Sequence, residues 1–174
     1  QDVKVPGTFE DTWSIVILPD VQYYSDTYPG LLELQTAWIK NNADRIGAKY
    51  VLLPGDITNH NADREWENAS AALALLDKKI PYALCPGNHD SGEGGGAADR
   101  TTKMDLYFPY KRLAGWSGIA GTKTPGQMSN TYHLFKGGDG SRWLILSLEW
   151  APTDETLEWA GKILEKYRER NAII

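Results

Sequence analysis

Three short apolar runs in the first half of the chain end in the same way, and this repetition limits the fold more than any other feature. Residues 13–18 run into Pro19-Asp20, residues 50–53 into Pro54-Gly55-Asp56, and residues 80–85 into Pro86-Gly87-Asn88-His89-Asp90. Runs this apolar are expected of strands covered on both faces. Pro or Pro-Gly then forces each strand to turn. Between the runs the period changes to that of a helix. Leu31, Leu34 and Trp38 follow Pro29-Gly30, with Gly47 as a stop. Trp66, Ala69, Leu73 and Leu76 follow the loop 57–62, with Asp63 as N-cap. Strand, helix, strand, helix, strand argues for parallel strands joined by right-handed crossovers. The carboxyl ends of neighbouring parallel strands lie side by side, and ligands bind at that edge of open α/β sheets. Asp20, Asp56 and Asn88 are therefore expected to converge.

The second half is plainer. The glycine-rich run 91–96 reads as a flexible loop beside the site, 99–107 as a short helix, and 108–127, which holds Trp116, as a long loop. Residues 131–136 and 142–148 read as a hairpin joined at Gly137-Gly138-Asp139-Gly140. A last helix starts near Thr153, with Leu157, Ala160, Leu164 and Tyr167 on its buried face. Residues 172–174 read as the start of a further strand. Residues 1–12 read as a polar lead-in.

At 174 residues the chain is expected to be one domain, and 41% hydrophobic content is enough for a sizeable core. A net charge of −5 gives no footing for a nucleic-acid duplex as partner. No apolar run approaches the ~18 residues of a membrane span. A single cysteine, Cys85, rules out an internal disulfide and a Cys-rich metal site, and its place in a strand makes it a buried apolar residue. The chain begins at Gln1 without a methionine, which fits an exported, periplasmic or extracellular protein that has lost its leader; the alternative is a soluble cytoplasmic one.

Carboxylates and amide oxygens that share a pocket require positive charge among them, and a divalent cation supplies it economically. Asp56, on the middle motif, is the natural bridge between two cations about 3.5–4 Å apart. His89 is placed to protonate a leaving alkoxide, and Asp90 to orient that imidazole. Asn59 and His60 are within reach of a substrate; their plainer role is to line the loop or cap the next helix. Tyr23 and Tyr24 fit a pocket wall or core packing equally well. His133 reads as a packed or exposed strand residue, Glu149 as a turn residue or an outer partner of the site, and Trp38 and Trp66 as helix core.

Asp20-x-Gln22, Gly55-Asp56 and Gly87-Asn88-His89-Asp90, in this order and at this spacing, resemble the motifs of the calcineurin-like metallophosphoesterase superfamily. The resemblance spans roughly residues 13–174 and is strongest before residue 90. It implies an α/β fold, a mixed β-sandwich flanked by helices. It also implies a dinuclear site holding Fe, Zn, Mn or similar ions, and hydrolysis of phosphate mono- or diesters. Carried over, Asp20 ligates one metal, Asp56 bridges, Asn88 ligates the second, and His89 binds phosphate or assists the leaving group. The substrate would be a small-molecule, sugar, lipid or nucleotide phosphoester.

Two departures stand out. Position 22 is Gln where the family usually has His, so Gln22 is either a weak oxygen ligand or a bystander. Three further histidines of the family pattern have no counterpart, since the histidines here are His60, His89 and His133. The chain is accordingly expected to be the amino-terminal part of a longer enzyme, retaining one metal or none and turning over slowly or not at all. The alternative is a degenerate domain that binds a metal or phosphorylated ligand without hydrolysis. A carbohydrate-binding module using the many aromatic residues would leave the three strand ends unexplained.

Overall fold

β1 (Ser14–Ile17), β2 (Ala48–Leu53) and β3 (Tyr82–Leu84) pair in parallel, in the order β1-β2-β3. The coordinates are a computed structural model that describes residues 12–174. The lead-in expected over residues 1–12 therefore falls, up to residue 11, outside the described residues. α1 (Gln22–Asp26) and α2 (Pro29–Asn42) connect β1 to β2, and α3 (Asp63–Ala74) connects β2 to β3. Consecutive strand residues face opposite ways. Val51 and Leu53 enter the main core with Leu32, Ile39, Trp66, Ala69 and Leu73 of the helices. Tyr50 and Leu52 face the other side. Burial on both faces is why the run reads as continuously apolar.

The second sheet has the order β4-β5-β6-β7. β4 (Ile119–Thr122), β5 (Thr131–Lys136) and β6 (Arg142–Ser147) are antiparallel; β7 (Asn171–Ile173) joins β6 in parallel, after the crossover helix α6 (Asp154–Lys166). Tyr50, Ala83 and Ile145 fill the space between the sheets with Leu52, Phe135 and Ile173. Tyr132, Leu144, Leu146 and Ala160 pack under α6. The layers are helices, sheet, sheet, helix: the expected mixed β-sandwich flanked by helices.

Several expectations need correction. The apolar stripe of α2 is Leu32 and Ile39 with Thr36, whereas Leu31, Leu34 and Trp38 are exposed by 47%, 66% and 49%. Both sets have helical spacing, and the face that meets the sheet is set by the helix's entry at Tyr28-Pro29, which periodicity does not report. Trp66 is helix core as expected; Trp38 is not. In α6, Leu157 is likewise exposed, and Trp159 and Ile163 join Ala160, Leu164 and Tyr167 in the packing. Asp63 is the first residue inside α3 rather than its cap. The long loop expected over 108–127 contains α5 (Tyr110–Leu113) and β4, and the helix expected over 99–107 shrinks to α4 (Met104–Tyr107). β4 is short and interrupted by a bulge, and pairing with β5 is what makes it a strand. The hairpin, the strand near 172 and Thr153 as the cap of α6, accepting from the Thr156 N–H, are found as expected.

Candidate active site

The carboxyl ends of β1, β2 and β3 carry the three motifs, and the backbone there adopts unusual geometry. Asp20 and Asp56 both have φ of 49°, in the left-handed region that few non-glycine residues enter and that Asp and Asn tolerate best. Strain of this kind persists only where surrounding contacts enforce it, and it concentrates at functional sites. The second and third motifs pack backbone against backbone. A Cβ on Gly55 would lie 2.8 Å from the Gly87 Cα, and a Cβ on Gly87 would lie 2.1 Å from Asp56 Oδ1. Both glycines of the Pro-Gly turns are thus required for close approach.

Hydrogen bonds knit the motifs together. Asp56 Oδ1 accepts from the His89 N–H at 3.1 Å. The Gln22 amide nitrogen, at the start of α1, donates to the backbone carbonyls of Asp20 at 2.7 Å and Asp56 at 3.3 Å. Asp20 is exposed, Asp56, Asn88 and His89 are half-buried, and Gln22 is buried. The turns after the three strands are therefore contiguous. Cys85, just before the third turn, is buried as expected, and burial pushes its thiol up to about 11.

Asp90 has a different role from the one expected. It is fully buried, and its carboxylate accepts from the Ile57 N–H at 3.0 Å, the Thr58 N–H at 2.6 Å, the Thr58 hydroxyl at 2.7 Å and the Gly87 N–H at 2.8 Å. Burial raises its pKa while these donors pull it down. Four donors and no acceptor suit the ionised form. Asp90 does not orient His89: it staples the β2 loop to the β3 turn. The imidazole is held instead by the backbone carbonyl of Asn59, 2.9 Å from His89 Nδ1. A carbonyl only accepts, so Nδ1 carries the proton and Nε2 is the nitrogen left for chemistry.

The Asn59 side chain turns away from His89. Its amide nitrogen lies 3.2 Å from Asp26 Oδ2 and 3.3 Å from His60 Nε2. His60 Nδ1 lies 2.8 Å from Glu65 Oε1, and the other Glu65 oxygen accepts from the N–H groups of Asn59 and His60 at 3.1 and 2.8 Å. The hydrogen bond to Glu65 raises the His60 pKa above its ordinary value. Asp26, Thr58 and Glu65 are participants that the sequence reading did not single out. A Glu at the third position of α3 is a recognisable signal for closing a helix start; Asp26 and Thr58 carry no comparable signal.

His133 is not part of this edge. It is fully buried between the sheets, bonded to Tyr50 at 2.7 Å and Thr131 at 2.9 Å. Glu149 is half-buried after β6; its N–H donates to Asn130 Oδ1 and its carboxylate pairs with Arg100 at 3.5 Å. Tyr23 is exposed and Tyr24 packs on the main core.

The family model for the calcineurin-like phosphoesterases matches residues 14–172, and the chain belongs to this family. It is 34% identical, over 167 residues, to the uncharacterized protein YvnB of Bacillus subtilis (strain 168), covering 95% of this chain and 12% of that protein. Among solved structures it is similar to the purple acid phosphatase PPD1 from yellow lupin (Lupinus luteus) seeds, with a TM-score of 0.49 and 21% identity over 87% of this chain and 27% of that one. The chain thus spans a small part of the length of both proteins. Among the described residues, no helix is long and apolar enough to cross a membrane.

Proposed function

We propose that residues 13–174 carry the amino-terminal share of a metal-dependent phosphoesterase site. The reading rests above all on the paired left-handed aspartates, Asp20 and Asp56, at adjacent strand ends, with Asp56 packed against the Gly87–His89 turn. The donor set fits hard or borderline cations: carboxylates from Asp20 and Asp56 and amide oxygens from Asn88 and Gln22. Two divalent or trivalent ions bound there would polarise a phosphoryl oxygen and supply a nucleophile at neutral pH. The chain's own part is to position. Asp90 and Gly87 hold the Asn88-His89 turn in register with Asp56. His89, fixed at Nδ1 by Asn59, presents Nε2; when protonated there, it gives that proton to the alkoxide released as the phosphorus–oxygen bond breaks. The substrate on this reading is a small-molecule, sugar, lipid or nucleotide phosphoester.

The three downstream histidines of the family pattern have no equivalent here, and His133 is committed inside the core. The strand-end site is therefore expected to hold metal weakly, one ion or none, and the chain to hydrolyse slowly. That same shortfall favours the second reading, a domain that binds metal or phosphate without turnover. Metal content and hydrolysis of p-nitrophenyl phosphate and its bis ester separate the two. Slow, metal-dependent turnover that disappears in Asp56→Asn supports the enzyme. Metal binding with no turnover of either ester supports the binder. Turnover unchanged in Asp56→Asn or in chelator would defeat the proposal.

A further inference from the structure

A second set of metal-ligating atoms lies on the other side of Asn59. One ligand atom from each of Asp26 at the end of α1, His60 in the loop after β2 and Glu65 in the first turn of α3 lies within 4.8 Å of the other two. They come from three chain segments and combine one nitrogen with two oxygens, a ligand set common to zinc and manganese sites. His60 Nδ1 is 2.8 Å from Glu65 and 4.0 Å from Asp26. Ligands at about 2.1 Å around a tetrahedral ion stand about 3.4 Å apart, so the two distances bracket the requirement. The adjustment falls on the His60 side chain, which is 54% exposed.

Two further features point the same way. Glu65 is buried, and its Oε2 is taken by backbone N–H groups, leaving Oε1 to face the cluster. A buried carboxylate with a second one close by calls for a cation between them, and a neutral imidazole offers one N–H for two acceptors. His60 also lines a cavity of about 650 Å³ with Gly92, Glu93, Asp99 and Thr101, so the ring is reached from solvent.

We propose that Asp26, His60 and Glu65 form a separate site for one divalent cation of the zinc or manganese type, apart from the strand-end aspartates. The ion takes the lone pair of His60 Nδ1, and the neutral ring then carries its one proton on Nε2, exchanged through solvent. Loading braces the loop whose Asn59 carbonyl holds His89, so its occupancy is felt at the phosphoester site.

The experiment is a Zn2+ titration at pH 7.5 of the 174-residue chain and of Asp56→Asn, followed by calorimetry and by ¹⁵N shifts of the histidine rings. Asn tolerates the left-handed backbone at position 56 and keeps an oxygen for the His89 N–H, so the variant is expected to fold. The proposal expects Asp56→Asn to keep one Zn2+ per chain, with a coordination shift at the His60 ring. Asp26→Asn and His60→Ala, both outside the core, are each expected to lower that affinity tenfold or more. If Asp56→Asn binds no Zn2+, or binds it equally well without His60, the proposal is overturned. If the unsubstituted chain binds no more Zn2+ than Asp56→Asn does, that counts against the preceding section and leaves this site standing.

Discussion

His89 and His133 are the same side chain in two regions of one sandwich, and their surroundings give them opposite properties. At His133 both ring nitrogens are engaged. The Tyr50 hydroxyl donates to the Ser117 carbonyl at 2.5 Å and so accepts from Nδ1–H, while Nε2 accepts from Thr131. Burial then pushes the His133 pKa down to about 3. At His89 Nδ1 is likewise the protonated nitrogen, but among the described residues nothing bonds to Nε2, and the ring is half-exposed. A polar group whose valences are all met inside the protein is architecture. One held by a single atom, with the other left unbonded, is available for chemistry. The carboxylates show the same contrast: Asp90 is saturated by four donors, whereas exposed Asp20 is not enclosed.

The comparison is broken most directly at Asp90. Asp90→Ala strands three backbone N–H groups and a hydroxyl, and is expected to destabilise the fold by about 3–5 kcal/mol in urea titrations. A loss under 1 kcal/mol would mean that the staple is not structural. The next largest effect is on acid stability. The folded chain keeps His133 neutral down to about pH 3, whereas the unfolded chain protonates it near ~6.5. The unfolded state therefore binds more protons, and stability falls as pH drops through that window. The contribution is about 1.4 kcal/mol per pH unit between those two values, with no effect above the upper one. His133→Gln should flatten this part of the pH profile; an unchanged slope would place the titration elsewhere. Tyr50→Phe leaves the Ser117 carbonyl and His133 Nδ1–H unpaired and is expected to cost about 1–3 kcal/mol. Smallest of all, Leu34→Gln on the outer face of α2 should shift stability by less than about 0.5 kcal/mol, whereas Leu32→Ala on the inner face should cost about 2–5. Equal effects at the two positions would reverse the assignment of the helix face.

Much of the first sheet was legible because its strands announce themselves twice, by apolar runs and by the Pro-Gly breaks that end them. Topology alone then brings Asp20, Asp56 and the Gly87–His89 turn to one edge. β4 was not legible: four residues interrupted by a bulge carry little propensity, and pairing with β5 decides their state. Nor could spacing choose between Leu31-Leu34-Trp38 and Leu32-Thr36-Ile39, since a helix repeats on every face. The partner of His89 was misread for a related reason. Asp90 is adjacent in sequence, but the turn sends its carboxylate inward, and a carbonyl from a loop thirty positions upstream takes its place.

What residue order determined by itself was the alternation of strands and helices, the turns that end the strands, and the kinds of donor atoms gathered at one edge, since these follow from local propensity and short-range geometry. Tertiary structure alone decided which donors stay open, that Asp90 is a staple, that His133 is sealed, and that Asp26, His60 and Glu65 meet. Those outcomes depend on burial and on hydrogen bonds between segments far apart in the chain, and no local pattern encodes where such segments touch.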